Sequence, residues 1–248
     1  MLTHKKYNKS ARILATQLGL IPVSDYSRIN GIVAVRYGNA GGVFENDTKY
    51  NSSEVIRLCG DSLEFSKWCV ENNINSPVYT LFSSAEGYEF PFLLRQRRHI
   101  AGKDITIVSS LDDIPQSFGD LYHVNFMKSD REFGIHYVAG KVVKIFEKVP
   151  FDSNAHPIIK SSVFGYHYKL INDIENNFKS AQKLCIEVAE KVGLGFGRFD
   201  LGYNSETKKY IVFEINTAPG LNSKTSYLYA EILRSVLNLD NYADNRTE

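Results

Sequence analysis

Cysteine is scarce in this chain. Cys59, Cys69 and Cys185 are odd in number, widely spaced and outside any CxxC or Cys/His ligand pattern, which excludes a disulfide framework or a zinc finger as the basis of the fold. They read as reduced core thiols of a cytoplasmic protein. Net charge is nearly absent too: 29 basic and 28 acidic side chains leave +1, which supplies no global field for nucleic acid or an anionic membrane. No apolar run approaches the ~20 residues of a membrane span. The opening MLTHKKYNKSARILATQLG lacks the uninterrupted apolar stretch of a signal peptide. Neither GxGxxG nor GxxxxGKS/T occurs, so any nucleotide is held without a Rossmann turn or a Walker loop. There is no internal repeat, low-complexity tract or Pro/Gly/Ser linker. Neither nucleic acid nor membrane is expected as a partner.

What is present is ordinary in bulk. A chain of 248 residues, 43% hydrophobic and 23% charged, suits one large or two modest soluble domains. Residues 9–19 read as a short helix ended by Gly19. INGIVAVRYGN, from Ile29, reads as a buried strand (Ile32 to Val35) entering a glycine-rich turn. One helix is predicted over 53–72, then a strand at VYTLF. PFLLRQRRHIAGKDITIV combines an apolar strand, a basic loop around Gly102 and a β-branched strand. REFGIHYVAGKVVKIFEKV reads as a hairpin turning at Ala139–Gly140. The stretch 174–192 puts Phe178, Ala181, Cys185, Val188 and Val192 on one helical face. Two strands around Asp200 and Glu214, a Pro-Gly turn and a helix over 225–237 close the chain. This order implies α+β with at least two lobes rather than a βαβ array.

The chemistry lies in GRFDLGYNSETKKYIVFEINTAPGLN, from Gly197. Alternation puts Arg198 and Asp200 on one face of the first strand. It puts Tyr210, Val212, Glu214 and Asn216 on one face of the second, with Ile211, Phe213 and Ile215 on the opposite, apolar side. A turn at NSETK sets Asp200 almost opposite Glu214, with Cβ atoms ~5 Å apart. Two like charges so placed repel unless a cation lies between them. Mg²⁺ fits, because it prefers oxygen ligands and is usually held by one or two carboxylates plus substrate phosphates. Arg198 adds a positive fork for a phosphoryl group. The alternative is a solvated hairpin face with incidental acids.

GFGRFDL, followed beyond the turn by EINTAPGLNSKT, resembles the C-terminal signature of the ATP-grasp superfamily, in the form found in D-alanine–D-alanine ligases and ribosomal-protein glutamate ligases. The resemblance implies that Asp200, Glu214 and Asn216 bind Mg²⁺ and that Arg198 contacts the transferring phosphoryl group. The Gly220 backbone and the Thr225 side chain would face the substrate. VNFMKSDREF resembles the segment linking the two lobes, which places Asn125 at the adenine edge, Met127 and Lys128 as backbone contacts, and Glu132 on the ribose. PFLLRQRRHIAGKDI resembles the strand and phosphate-covering loop of the small lobe, with Arg95 where the family usually has Lys. Arg97 and Lys103 in that loop, and Lys148 on the hairpin, are further phosphate candidates; Arg95, Arg97 and His99 share a face, and His99 and His136 read as surface and structural residues. Two positions depart from the pattern: Ser62 stands where many relatives carry an ATP-binding Lys, and Gly134 where the glutamate-ligase type carries Arg. The opening resembles the abbreviated N-terminal domain of small ATP-grasp proteins, many of them encoded by bacterial viruses.

The resemblance implies an ATP-grasp fold of class α+β: two α/β lobes clasping ATP, with a short N-terminal α/β domain. The expected division is 1–77, 78–123 for the small lobe and 124–248 for the large lobe with the metal site. The implied activity is ATP-dependent ligation of a carboxylate to an amine through an acyl phosphate, releasing ADP and phosphate. The acceptor would be an amino acid, a peptide or a protein tail, and a homodimer is allowed. Two alternatives stay open: a non-catalytic nucleotide-binding regulator, and a nucleic-acid module using RQRRH.

Overall fold

A computed structural model describes residues 1–5, 8–24, 35–41, 50–84, 86–96, 105–115, 121–172 and 177–239. Three sheets organise these residues. The first is a small parallel sheet in which β1 (Leu2–His4) lies between β2 (Pro22–Val23) and β3 (Val35–Tyr37). Helix α1 (Lys9–Leu18) covers it; the Asn8 side chain accepts from the Ala11 N–H at 2.9 Å to start the helix, and Gly19 ends it in the left-handed region. Of the strand expected from Ile29, Val35 lies in β3, and residues 29–34 fall outside the described set.

The helix expected over 53–72 is two helices, α2 (Ser53–Cys59) and α3 (Ser62–Glu71). The chain breaks at Gly60–Asp61 because the Asp61 carboxylate accepts from the Leu63 and Glu64 N–H groups, a cap that starts a new helix. A four-stranded antiparallel sheet follows, ordered β4 (Tyr79–Leu81), β7 (Leu121–Asn125), β5 (Phe92–Gln96), β6 (Ile105–Val108). Its inner face carries Tyr79, Leu93, Tyr122 and Val124 against Leu63 of α3.

The largest sheet is antiparallel, in the order β10 (Tyr166–Leu170), β9 (Lys141–Pro150), β8 (Arg131–Val138), β11 (Phe196–Asn204), β12 (Lys209–Asn216). The β8–β9 hairpin turns at Ala139–Gly140 as expected, both with positive φ (44° and 87°), the geometry that matches the twist of two-residue hairpins. One face buries Phe133, Ile135, Ile145, Phe199, Leu201, Val212 and Ile215 with Ala181, Cys185, Val188 and Val192 of α4 (Lys179–Val192). Phe178, predicted on that helical face, is the residue before the helix and is buried in the same core.

The closing helix α5 (Ser223–Val236) crosses one end of the other face, where Tyr229 packs with Phe196, Val138 and Tyr37. The N-terminal sheet is tied to this end by buried polar bonds. Asn51 accepts from the Gly195 and Phe196 N–H groups and donates to the Phe196 carbonyl. Tyr37 donates to the Pro219 carbonyl, and Ser10 accepts from the Leu221 N–H at 2.9 Å. The Pro-Gly turn ahead of α5 is thereby fixed. Among the described residues no helix is long and apolar enough to cross a membrane.

Candidate active site

The uncovered half of the large sheet's second face carries the polar residues. Asp200 pairs with Glu214, and Arg198 with Asn216, across β11 and β12, the register expected from the turn. On the other side of β11, β8 brings Gly134 beside Asp200, His136 beside Arg198 and Glu132 beside Gly202. Next come Lys148, Phe146 and Lys144 on β9, and Tyr168 on β10 beside Lys148. Strand alternation therefore gathers three acids and three cations on one floor.

The face assignments of Tyr210, Val212 and Phe213 are overturned. The register shifts between Asp200 and Leu201, so Phe213 is an extra residue on β12. Such a bulge inverts the alternation beyond it, and Val212 joins the apolar core with Ile215 instead of sharing Glu214's face. Phe213 lies over Gly202, where a Cβ would stand 2.7 Å from its Cζ and 2.9 Å from Ser129 Cβ. Gly202→Ala is expected to destabilise the protein by about 1–3 kcal/mol through overpacking, read as a fall in Tm.

Electrostatics separates the two acids. Arg198 grips Asp200 with two bonds, Nε to Oδ1 at 2.8 Å and Nη2 to Oδ2 at 3.1 Å, and Lys148 stands 3.6 Å away. Burial pushes the Asp200 carboxyl up, but Arg198 and Lys148 outweigh it and hold it below the usual carboxylate range. Glu214 is open to solvent yet ringed by charges, as on the floor of a cleft. Partial desolvation among the surrounding groups and the Asp200 charge push its carboxyl up against Arg198, Lys148 and Arg95. Burial depresses the Lys148 ammonium, but Asp200 and Glu132 override it and raise it above its ordinary value. His136 is structural as expected: its Nδ1 meets the Tyr229 hydroxyl at 2.9 Å, and burial with Arg198 pushes its pKa down to about 3.

The small sheet forms the facing wall. Arg95 Nη1 donates to the Tyr79 hydroxyl at 2.9 Å, while its buried Nε has no hydrogen-bond partner among the described residues. Ser62 lies close to the Tyr79 hydroxyl, which also feels the Glu214 charge. Ser62 thus reaches the site through Tyr79, which the sequence reading did not single out. Arg97, His99 and Lys103 lie outside the described residues.

In the linking segment, side chains expected at the nucleotide have partners within the protein. The Asn125 side chain accepts from the Val78 N–H at 2.6 Å, closing the β4–β7 edge. Met127 is half-buried; Lys128 points at Glu206, 2.5 Å away, and its carbonyl accepts from Asn204. Glu132 is buried against Lys148 (3.1 Å) and Lys160 (3.8 Å). Lys160 was missed because it comes from the 151–165 connection, where no pattern announces it. The Asn216 side-chain oxygen accepts from the Ala218 N–H at 2.8 Å, leaving a second lone pair. Gly220 borders open space. Thr225 is buried, its hydroxyl between Asn222 and the Lys144 ammonium.

Solved structures share this architecture. A D-alanine–D-alanine ligase from Bacillus anthracis matches with TM-score 0.67 at 12% identity, covering 96% of this chain and 98% of that one. The ATP-grasp ligase PsnB with its minimal precursor matches with TM-score 0.67 at 10% identity over 94% and 97%. The chain has the ATP-grasp fold. N5-carboxyaminoimidazole ribonucleotide synthetase from Thermotoga maritima, at TM-score 0.52 and 14% identity, covers 76% of this ATP-grasp chain and 52% of its own. No family model matches the sequence. A carbamoyl-phosphate synthase of Methanobrevibacter smithii is 25% identical over 178 residues, 66% of this chain and 47% of that protein. The uncharacterized protein MG011 of Mycoplasma genitalium is 24% identical over 183 residues, 68% of this chain and 58% of that one. The chain spans about half the length of the curated relatives it matches.

Proposed function

We propose that this protein is an ATP-dependent ligase that joins a carboxylate to an amine through an acyl phosphate. The observation that carries the reading is the Asp200–Glu214 pair with Arg198 and Lys148 upon it, facing Arg95 across a cleft of the ATP-grasp fold. The nucleotide would lie between the four-stranded sheet, in 78–123, and the five-stranded sheet, in 124–248. ATP and Mg²⁺ come to this reading from the neighbours: the Bacillus anthracis ligase is known complexed with ATP and PsnB with Mg and ADP.

The residues fit Mg²⁺. Among the described residues no three His, Cys, Asp or Glu side chains gather as a closed cage. Two carboxylates and the Asn216 amide oxygen make an open, all-oxygen set that leaves positions for phosphate oxygens. Arg198 and Lys148 already sit on Asp200 as cations would. When bound, the metal would neutralise polyphosphate charge.

This chain's own groups hold and shield the reactants. Arg95 and Lys148 would grip phosphate oxygens, and Glu132 would accept from the ribose. Arg198 would turn its N–H groups to the transferring phosphoryl group, where charge accumulates. A carboxylate oxygen attacks the γ-phosphorus and ADP leaves. The amine then attacks the acyl carbon, loses a proton and expels phosphate. No protein nucleophile is needed; positioning and charge management suffice. The second reading, a non-catalytic nucleotide binder, is favoured by Ser62, which stands beside Tyr79 where relatives carry Lys.

Nucleotide titration tests the site. ATP should bind more tightly with Mg²⁺ than without. Arg95→Ala should weaken ATP by about tenfold or more and adenosine hardly at all. Glu132→Ala should weaken adenosine at least as much as ATP, because it also frees Lys148 for phosphate. Parallel losses of ATP and adenosine in Arg95→Ala would remove Arg95 from the phosphate wall.

A further inference from the structure

Tyr168 belongs to no motif and lies on the edge strand β10, three strand spacings from Arg198 on β11, roughly 14 Å between backbones. Yet the Arg198 guanidinium carbon stands 5.2 Å from the Tyr168 ring centroid, over its face. The two side chains meet because β8, one of the two strands between them, has no side chain at Gly134. A Cβ on Gly134 would lie 3.1 Å from Tyr168 Cε1 and 3.2 Å from Arg198 Cδ. Phe146 props the ring edge-to-face, with centroids 6.2 Å apart. Tyr168 is 42% exposed, so part of the ring is open to solvent. Asp200, Arg198, Lys148 and Glu214 all act on its hydroxyl, which burial pushes up.

Resting on the ligase reading above, we propose that Tyr168 is a positioning residue: its ring fixes the plane of the Arg198 guanidinium, so that the arginine's N–H groups meet the terminal phosphoryl group of the nucleotide. The geometry gives the reason. Arg198 now spends two in-plane donors on Asp200, and that carboxylate must turn to the metal when nucleotide arrives. A contact to the guanidinium's face is electrostatically favourable and consumes none of its in-plane donors. The ring therefore keeps the arginine in place at the moment its carboxylate partner is drawn away. Gly134 takes its meaning from the same contact, since a Cβ there would press on both side chains.

The test compares binding of a non-hydrolysable ATP analogue and of ADP, both with Mg²⁺, by calorimetry. The wild type should prefer the triphosphate, and Arg198→Ala should lose that preference. Tyr168→Leu should lose about tenfold of it while ADP affinity stays within about twofold. Tyr168→Phe, which keeps the ring, should retain it. Retained preference in Tyr168→Leu, or equal loss in Tyr168→Phe, overturns the proposal while leaving the ligase reading standing. No triphosphate preference in the wild type, or none lost in Arg198→Ala, overturns the Arg198 assignment and this inference with it.

Discussion

Asp200→Asn and Glu214→Gln should each lower turnover by about a thousandfold or more, yet shift stability in opposite directions. The activity loss follows from their shared task. In the ligase reading each would supply a charged oxygen to the same cation, and charge neutralisation at a transferring phosphoryl group is worth several kcal/mol. The stability split follows from their different surroundings. The Asp200 carboxyl is held below its ordinary value, so its ionised form stabilises the native state above the unfolded pKa, and that contribution is lost as pH falls through the folded one. Asparagine in its place keeps the shape but gives up two charge-assisted bonds from Arg198 and the Lys148 contact, at a cost of about 2–3 kcal/mol. The Glu214 carboxyl is pushed up instead, so its contribution is full only when protonated and is lost as pH rises through the raised pKa. At neutral pH its charge repels Asp200, and Glu214→Gln removes that repulsion for a gain of about 0–1 kcal/mol, limited by solvent screening. Thermal melts of nucleotide-free protein at neutral pH, beside assays of ADP release, measure both effects. Unimpaired turnover in both variants would sink the metal-site assignment; shifts of the same sign would sink the account of their separate environments.

The facing of these two acids was legible because it needs only a side-chain period of two and a turn of the right composition. The same rule misplaced Val212, since a single extra residue at Phe213 inverts every face beyond it and leaves no mark in the hydrophobic pattern. The break between α2 and α3 was present in the letters as Gly60, Asp61 and Ser62, but an unbroken helical reading of 53–72 overran it. Short elements without periodicity, such as Leu2–His4 in β1 and Tyr166–Leu170 in β10, gave nothing to read; tertiary pairing makes them strands. Lys160 and Tyr168 were missed for the same reason, because they reach the site through a connection and an edge strand. The pairing of Glu132 with Lys148 follows from the hairpin, whose two strand ends are neighbours by construction.

The released products give the sharpest test of function. ADP and phosphate should appear in equal amounts with ligated product, and AMP and pyrophosphate should not appear. The argument is one of placement. Asp200, Glu214, Arg198 and Lys148 form a single charged cluster on one floor, with Arg95 opposite, and electrostatic catalysis acts where such groups converge. In the ligase reading that place is the terminal phosphate, so the bond that breaks joins the γ-phosphorus to the oxygen of the departing ADP. An adenylating enzyme would need its cationic groups around the α-phosphate instead. Hydroxylamine should compete with the natural amine for the activated acid and yield a hydroxamate, because attack at the acyl carbon asks only for a good nucleophile and a leaving phosphate. Water replacing the carboxylate should give the same ADP in a slow background reaction. Phosphorus NMR of a reaction supplied with amino-acid and peptide pools distinguishes the outcomes directly. AMP with pyrophosphate would overturn the acyl-phosphate route. Tight Mg²⁺-dependent ATP binding without turnover in any pool would instead favour the non-catalytic reading, with Ser62 in place of the family's lysine as the first residue to exchange: Ser62→Lys should then raise ATP affinity further.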